Sequence, residues 1–242
     1  MSSLPASLAS SASEAPPVAR AERAYQYLRN QLLEGPLGPG DALSVVALTH
    51  ALDCSRVPVM EALKRLAGEG FVDIVPQVGC RVVTPAVAEV RDFFVLFAAS
   101  EGAVTGFAAS RRTPADLRDF KAVCAQVDAG LAAARPPGEP DPSYRRLNLL
   151  FHGCIHRLAR SPISTAIARG LWDRSDFYIK LAFGSLYFSR RVRDAHAAIR
   201  AAIVAGDPAA AERATSVHLR AVGENVAAAL AHGRETRRGP SA

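Results

Sequence analysis

The chain has 242 residues, 49% of them apolar, and a formal charge of +6 at neutral pH. That length and apolar share can fill one large or two ordinary hydrophobic cores, so disorder is not the default expectation. No run approaches the roughly 18 uninterrupted apolar residues of a membrane span. The leader MSSLPASLASSASEAPPVAR lacks a basic start followed by an apolar block, so neither a span nor a secretory signal is expected and the chain reads as cytoplasmic.

The position of the charge says more than its total. Residues 1–85 hold seven Lys/Arg against eight Asp/Glu, a net of −1, so the rest of the chain carries +7. Global basicity is therefore poor evidence for a nucleic-acid partner. The cysteines Cys54, Cys80, Cys124 and Cys154 are isolated, without a CxxC pair, and read as reduced structural thiols.

Residues 1–19 are rich in Ser, Ala and Pro and read as a disordered leader. In AERAYQYLRNQLLEG the residues Ala24, Leu28 and Leu32 recur at helical spacing up to Gly35, and PLGPGD supplies turn chemistry. Ser44 is placed to cap a short second helix, VVALTHAL, and Ser55 a third. In that third helix Val59, Ala62, Leu63 and Leu66 share a buried face, leaving Arg56, Val57, Met60 and Lys64 on the other. FVDIV alternates apolar and polar, PQVG reads as a turn and CRVVTP as a second short strand, which together make a hairpin.

Three helices and a hairpin are the winged helix-turn-helix plan, expected over residues 20–85. From Pro85 onward strand signals vanish. Ala-rich amphipathic segments at roughly 86–111, 115–134, 143–160, 162–184, 188–205 and 208–232 imply an antiparallel helical bundle, expected over 86–233. ARPPGEPDP at 134–142 reads as an extended surface loop, and residues 234–242 as a frayed tail. The fold class is thus mainly α, a winged helix-turn-helix followed by an all-α bundle.

The stretch LGPGDALSVVALTHALDCSRVPVMEALKRLAGEGFVDIVPQVGCRVVTP resembles the GntR family of bacterial regulators. PGD before the second helix, Ser55-Arg56-Val57-Pro58, Glu61-Ala62-Leu63-Lys64-Arg65-Leu66, Gly70-Phe71-Val72 and Gly79 carry the likeness. The bundle resembles the FadR-like, FCD-type branch through Asn148, Phe151-His152, His196 and His218-Leu219. The resemblance implies a DNA-binding transcription regulator whose helical domain senses a small organic acid, through a bound divalent metal where one is held.

In that family Arg56 stands at a DNA-contacting position, where an arginine can bond a guanine edge bidentately. Val57, Met60, Lys64 and Arg65 would share the reading helix. One of Lys64 and Arg65 is instead a phosphate contact or an intramolecular ion pair. Gly79 would let the wing backbone approach the minor groove beside Arg81. The family usually has arginines where this chain has Val46 and Met60, so fewer phosphate contacts and an altered operator are expected.

In the bundle the resemblance implies that His152, His196 and His218 converge on one divalent metal, zinc or nickel by ligand chemistry, with Asn148 as a weak fourth partner where relatives often have aspartate. His156, one turn past His152, reads as solvated beside Arg157 and Arg160. Phe97 stands where relatives place an arginine facing an acidic effector. Arg174 and Tyr178, one turn apart, could replace that clamp or form an internal pair, and the sequence leaves both open.

A homodimer is expected because one module contacts only a half-site. FFVLFAA at 93–99 is a candidate dimer surface, or simply buried in the bundle. Two other functions remain to weigh: a metal-dependent hydrolase built on the three histidines, for which no HExxH or adjacent carboxylate base is visible, and a degenerate ligand-binding scaffold that no longer reads DNA.

Overall fold

The apolar spacing of the N-terminal stretch closes into a helix in the computed structural model, which describes residues 17–75, 79–133, 142–184 and 190–238. Helix α1 (Pro17–Leu33) takes in the last three residues of the expected leader. The remaining leader, residues 76–78 where the wing turn is expected, the Pro-rich stretch at 134–141, residues 185–189 with the expected start of the fifth bundle helix, and the last four residues lie outside the described residues. The chain divides into two compact units, Met1–Thr84 and Pro85–Ala242.

In the first unit, α1 is followed by strand β1 (Ala42–Leu43), helix α2 (Val45–Leu52), helix α3 (Arg56–Gly68) and strands β2 (Val72–Val75) and β3 (Gly79–Val82). Ser44 caps α2 as expected, its Oγ accepting from the Ala47 N–H at 3.2 Å. Ser55 starts α3 in an extended conformation without a side-chain capping bond. Between the two helices the chain turns at Asp53, which adopts the left-handed region at φ 46°, a conformation aspartate tolerates better than most residues.

Leu28 and Leu32 of α1 meet Val59, Leu63 and Leu66 of α3 in a core from which solvent is excluded. Full burial of one such side chain is worth about 1.5–3 kcal/mol. The expected hairpin is a three-stranded antiparallel sheet in the order β1-β3-β2. Leu43 pairs with Cys80 on one edge of β3, and Ile74 pairs with the same residue on the other. The sequence hid β1 because two residues, Ala42 and Leu43, are too few to show alternation.

The second unit is all helix among the described residues: α4 (Val87–Arg111), α5 (Pro114–Ala132), α6 (Pro142–Ala159), α7 (Pro162–Phe183), α8 (Arg190–Ala205) and α9 (Pro208–Arg238). The last helix runs five residues beyond the expected start of the tail. A capping box starts α5: the Thr113 hydroxyl accepts from the Asp116 N–H, and Asp116 accepts from the Thr113 N–H at 2.7 Å. The Thr113 bonds and the Arg160 guanidinium hold the Asp116 carboxyl at about 2.

Helix α4 is the axis of the unit, packing antiparallel on α9 and also against α6, α7 and α8. At the α4–α9 crossing Gly223 lets the backbone of α9 reach Phe94, and a Cβ there would overlap that ring. By length and composition α4 could cross a membrane, but 56% of its most apolar window is buried within the unit, the burial of a bundle's central helix. A second core gathers Phe120, Phe151, Ile155, Ile199 and Ile203 from α5, α6 and α8.

Candidate functional site

In the first unit the helix period turns Arg56, Val57, Met60 and Lys64 away from the core, around a shallow depression on α3 that Glu61 also lines. Arg56, Val57 and Lys64 are exposed and Met60 is half-buried. Arg65 has a different fate. Its guanidinium donates to Glu22 at 2.8 Å and to Glu69 at 3.2 Å and lies over the Tyr25 ring, 3.5 Å from its centroid. Of the two cations left open by the sequence, Arg65 is the one in an intramolecular ion pair.

Gly79 opens β3 at φ 127°, where only glycine is unstrained, and nothing lies within 4 Å of where its Cβ would stand. Arg81 follows, exposed, opposite Ala42 and Asp73 in the central strand.

In the second unit three histidines arrive from three helices. His152 comes from α6, His196 from α8 and His218 from α9, all buried, with one ring nitrogen from each lying within 4.8 Å of the others. Both ring nitrogens of His152 are buried without a hydrogen-bond partner among the described residues. Asn148, one turn before His152 on α6, is buried as well.

The surroundings are aromatic. Phe151 stacks on His196 with centroids 4.6 Å apart, and Trp172 lies 4.1 Å from His152. Burial disfavours the protonated imidazoles and holds all three below the ordinary histidine value, His218 at about 4; the neighbouring imidazoles add to the effect on His152 and His196. The cluster is therefore neutral at physiological pH, the form that ligates metals.

The expected effector residues Arg174 and Tyr178 both lie on α7. Tyr178 is buried against Phe93, centroids 5.1 Å apart, and its hydroxyl hydrogen-bonds the Arg174 side chain. A series of ring contacts, Phe93 to Phe97 to Trp172, runs from Tyr178 to His152. Phe97, where the resemblance leads one to expect an arginine, is fully buried in that series.

His156 corrects the sequence reading. It is buried rather than solvated, and its Nε2 meets the Glu101 carboxylate at 2.9 Å. Trp172 donates its indole N–H to the same carboxylate at 2.7 Å. Glu101, fully buried on α4, thus ties α6 to α7 directly behind the histidines. The available signal was a lone carboxylate inside the apolar run of α4, facing a second histidine on the His152 face of α6.

A cavity of about 350 Å³ opens between α5 and α8, lined among others by Phe151, His196, Asp128 and Arg200. It places one edge of the histidine cluster within reach of solvent.

This winged helix-turn-helix, followed by a helical unit that encloses a histidine cluster, defines a transcription regulator of the two-module kind. Residues 20–82 match the family described as bacterial regulatory proteins, gntR family, and residues 92–221 match the FCD domain. The chain belongs to the GntR family, in its FCD-bearing branch, and is a DNA-binding transcription regulator.

Among its relatives is the HTH-type transcriptional repressor RspR of Escherichia coli K12, 27% identical over 85% of this chain and 88% of the relative. An HTH-type regulator from an unstable DNA locus of Streptomyces ambofaciens is 30% identical over 87% and 86%. Of solved structures, E. coli McbR/YncC shares the fold with a TM-score of 0.68 at 20% identity, over 88% of this chain and 98% of that one.

Proposed function

We propose that residues 20–85 read a duplex operator as part of a homodimer in the cytoplasm, and that residues 86–233 sense a small organic acid through a divalent metal held by His152, His196 and His218, with Asn148 as a weak fourth partner. The observation that carries the sensory half is the convergence of three buried, neutral imidazoles from three helices, their ring nitrogens within 4.8 Å.

The residues suit the metal. Nitrogens bound to zinc at about 2.0–2.1 Å in a tetrahedron lie roughly 3.3 Å apart, so small side-chain movements complete the site. A buried imidazole without a hydrogen-bond partner, as at His152, is costly unless something binds it. Zinc and nickel both suit imidazole ligands, and three protein ligands leave coordination positions open for a carboxylate. Around them Phe151 and Trp172 exclude water, while Glu101 fixes Trp172 against His152. The hydrolytic alternative needs a carboxylate base, and the buried Glu101 is already engaged by His156 and Trp172.

The DNA-reading half rests on Arg56, Val57, Met60 and Lys64 facing outward from α3, with Gly79 and Arg81 in the wing. Dimerisation is supported by Val95 and Leu96, 46% and 61% exposed on one side of α4, while Phe94 and Phe97 of the same apolar run face inward. Elemental analysis of protein purified without a histidine tag tests the metal. About one equivalent per chain after incubation with zinc or nickel supports the proposal. Less than about a tenth of an equivalent refutes it, since a folded site of this kind binds metal far more tightly than that implies.

A further inference from the structure

The helix period of α8 places Arg193, His196 and Arg200 on one face, at i, i+3 and i+7. All three line the cavity between α5 and α8, and so does Phe151, the ring stacked on His196. Its volume of about 350 Å³ falls within the range of small-molecule sites, about 300–1,000 Å³. A second hollow continues from it along the same two helices past Lys121.

Among the described residues, the charged groups facing this groove are Lys121, Arg193 and Arg200 against Asp128 and Asp194. The Arg200–Asp128 ion pair spans it: Arg200 of α8 donates to Asp128 of α5 at 2.7 Å, with both side chains at least one third exposed. Arg200 also hydrogen-bonds the Cys124 side chain. An ion pair so open to water is weak, whereas a guanidinium can grip an incoming carboxylate through two parallel bonds.

We propose that the groove between α5 and α8 is the entrance and anion-recognition site for the effector. It takes a small organic acid with two anionic groups, one directed toward the His196 end and the other bound by Arg200, which leaves Asp128 to receive it. Arg200 is thereby the residue that sets specificity for a second acidic group, and Asp128 is the internal competitor that the effector displaces. The proposal rests on reading the second unit as the sensory module, but it does not require the metal.

Isothermal titration of the full chain with succinate, glutarate and adipate, and with acetate and butyrate as single-charge controls, tests it at constant ionic strength, before and after chelation. At least one diacid binds more tightly than either monoacid. Arg200→Gln weakens that diacid by at least about tenfold, and Arg200→Lys recovers only part of the loss because the fork is gone. Asp128→Asn tightens it, since the competitor has been removed.

The opposite signs are decisive, because both substitutions break the same ion pair and a merely structural pair would move binding in one direction. Equal effects of the two changes, or no binding of any diacid at about 10 mM, a concentration where even a millimolar Kd gives near saturation, overturn the proposal. Arg200-dependent binding that persists after chelation upholds the groove while removing the metal reading. Metal bound by the histidines, with diacid affinity indifferent to Arg200, does the reverse.

Discussion

The two candidate functional regions of this regulator hold their polar groups in opposite ways. On α3, Arg56 and Lys64 stand in water on one face of a helix whose other face is fully buried. In the bundle, His152, His196 and His218 are buried and packed against aromatic rings. An exposed cation costs little to keep and meets its phosphate or base partner by losing loosely held ions. A buried imidazole is costly to keep, is biased toward its neutral form and gains from any ligand that satisfies it. The first arrangement suits a surface that must release DNA, the second a site that must hold a small ligand.

The largest effect that separates them is one of pH. The folded pKa values of the three histidines lie below 6.5, so in metal-free protein the unfolded chain binds protons that the folded chain does not. Stability is therefore fully present above about pH 6.5 and falls with pH down to about 4, where His218 itself protonates in the folded state. His218 alone contributes on the order of 3 kcal/mol to that loss, and the other two act in the same direction. Denaturant unfolding in chelator between about pH 8 and 4 measures it, and a flat profile contradicts the burial of these rings.

Second in size is His196→Ala, which on the proposed function removes a metal ligand rather than an outer partner. Zinc or nickel affinity should drop by more than the roughly 10–100-fold typical of outer partners. Competition with a chromophoric chelator reads this out, and operator binding by the metal-free protein should be unchanged.

Next comes Arg56→Ala, expected to cost about 1–3 kcal/mol in affinity for the preferred operator, the range for one bidentate base contact. Fluorescence anisotropy at physiological salt checks it. Arg65→Ala, on the same helix, should change operator affinity by less than about 1 kcal/mol, because its guanidinium is already committed to Glu22, Glu69 and Tyr25. Equal losses for the two arginines would erase the distinction drawn between them.

Much of the architecture was legible in the sequence because long helices repeat their apolar pattern over many turns. The six bundle helices and the core face of α3, with Val59, Leu63 and Leu66, follow from a 3.6-residue period. Strand β1 did not, since its pairing is decided by β3 across the sheet and not by its own two residues. The same difference governs the site. His152, His196 and His218 were visible through their likeness to a family pattern. The burial of His156 was not, because its solvation depends on Glu101, a residue 55 positions away. Arg65 was ambiguous for a similar reason: its principal partner, Glu22, lies on α1. The groove depends on α5 and α8 standing apart, which no local pattern records.

Trp172 is the only tryptophan in the chain, and its indole lies 4.1 Å from the His152 ring with its N–H bound to Glu101. Red-edge excitation of the protein therefore lights one fluorophore, beside the histidine cluster. An imidazole that takes up a proton there quenches indole emission, and a paramagnetic ion such as nickel(II) does so more strongly than closed-shell zinc(II). The regulator carries its own optical gauge of the histidine cluster, readable without a label and without altering any residue of α3.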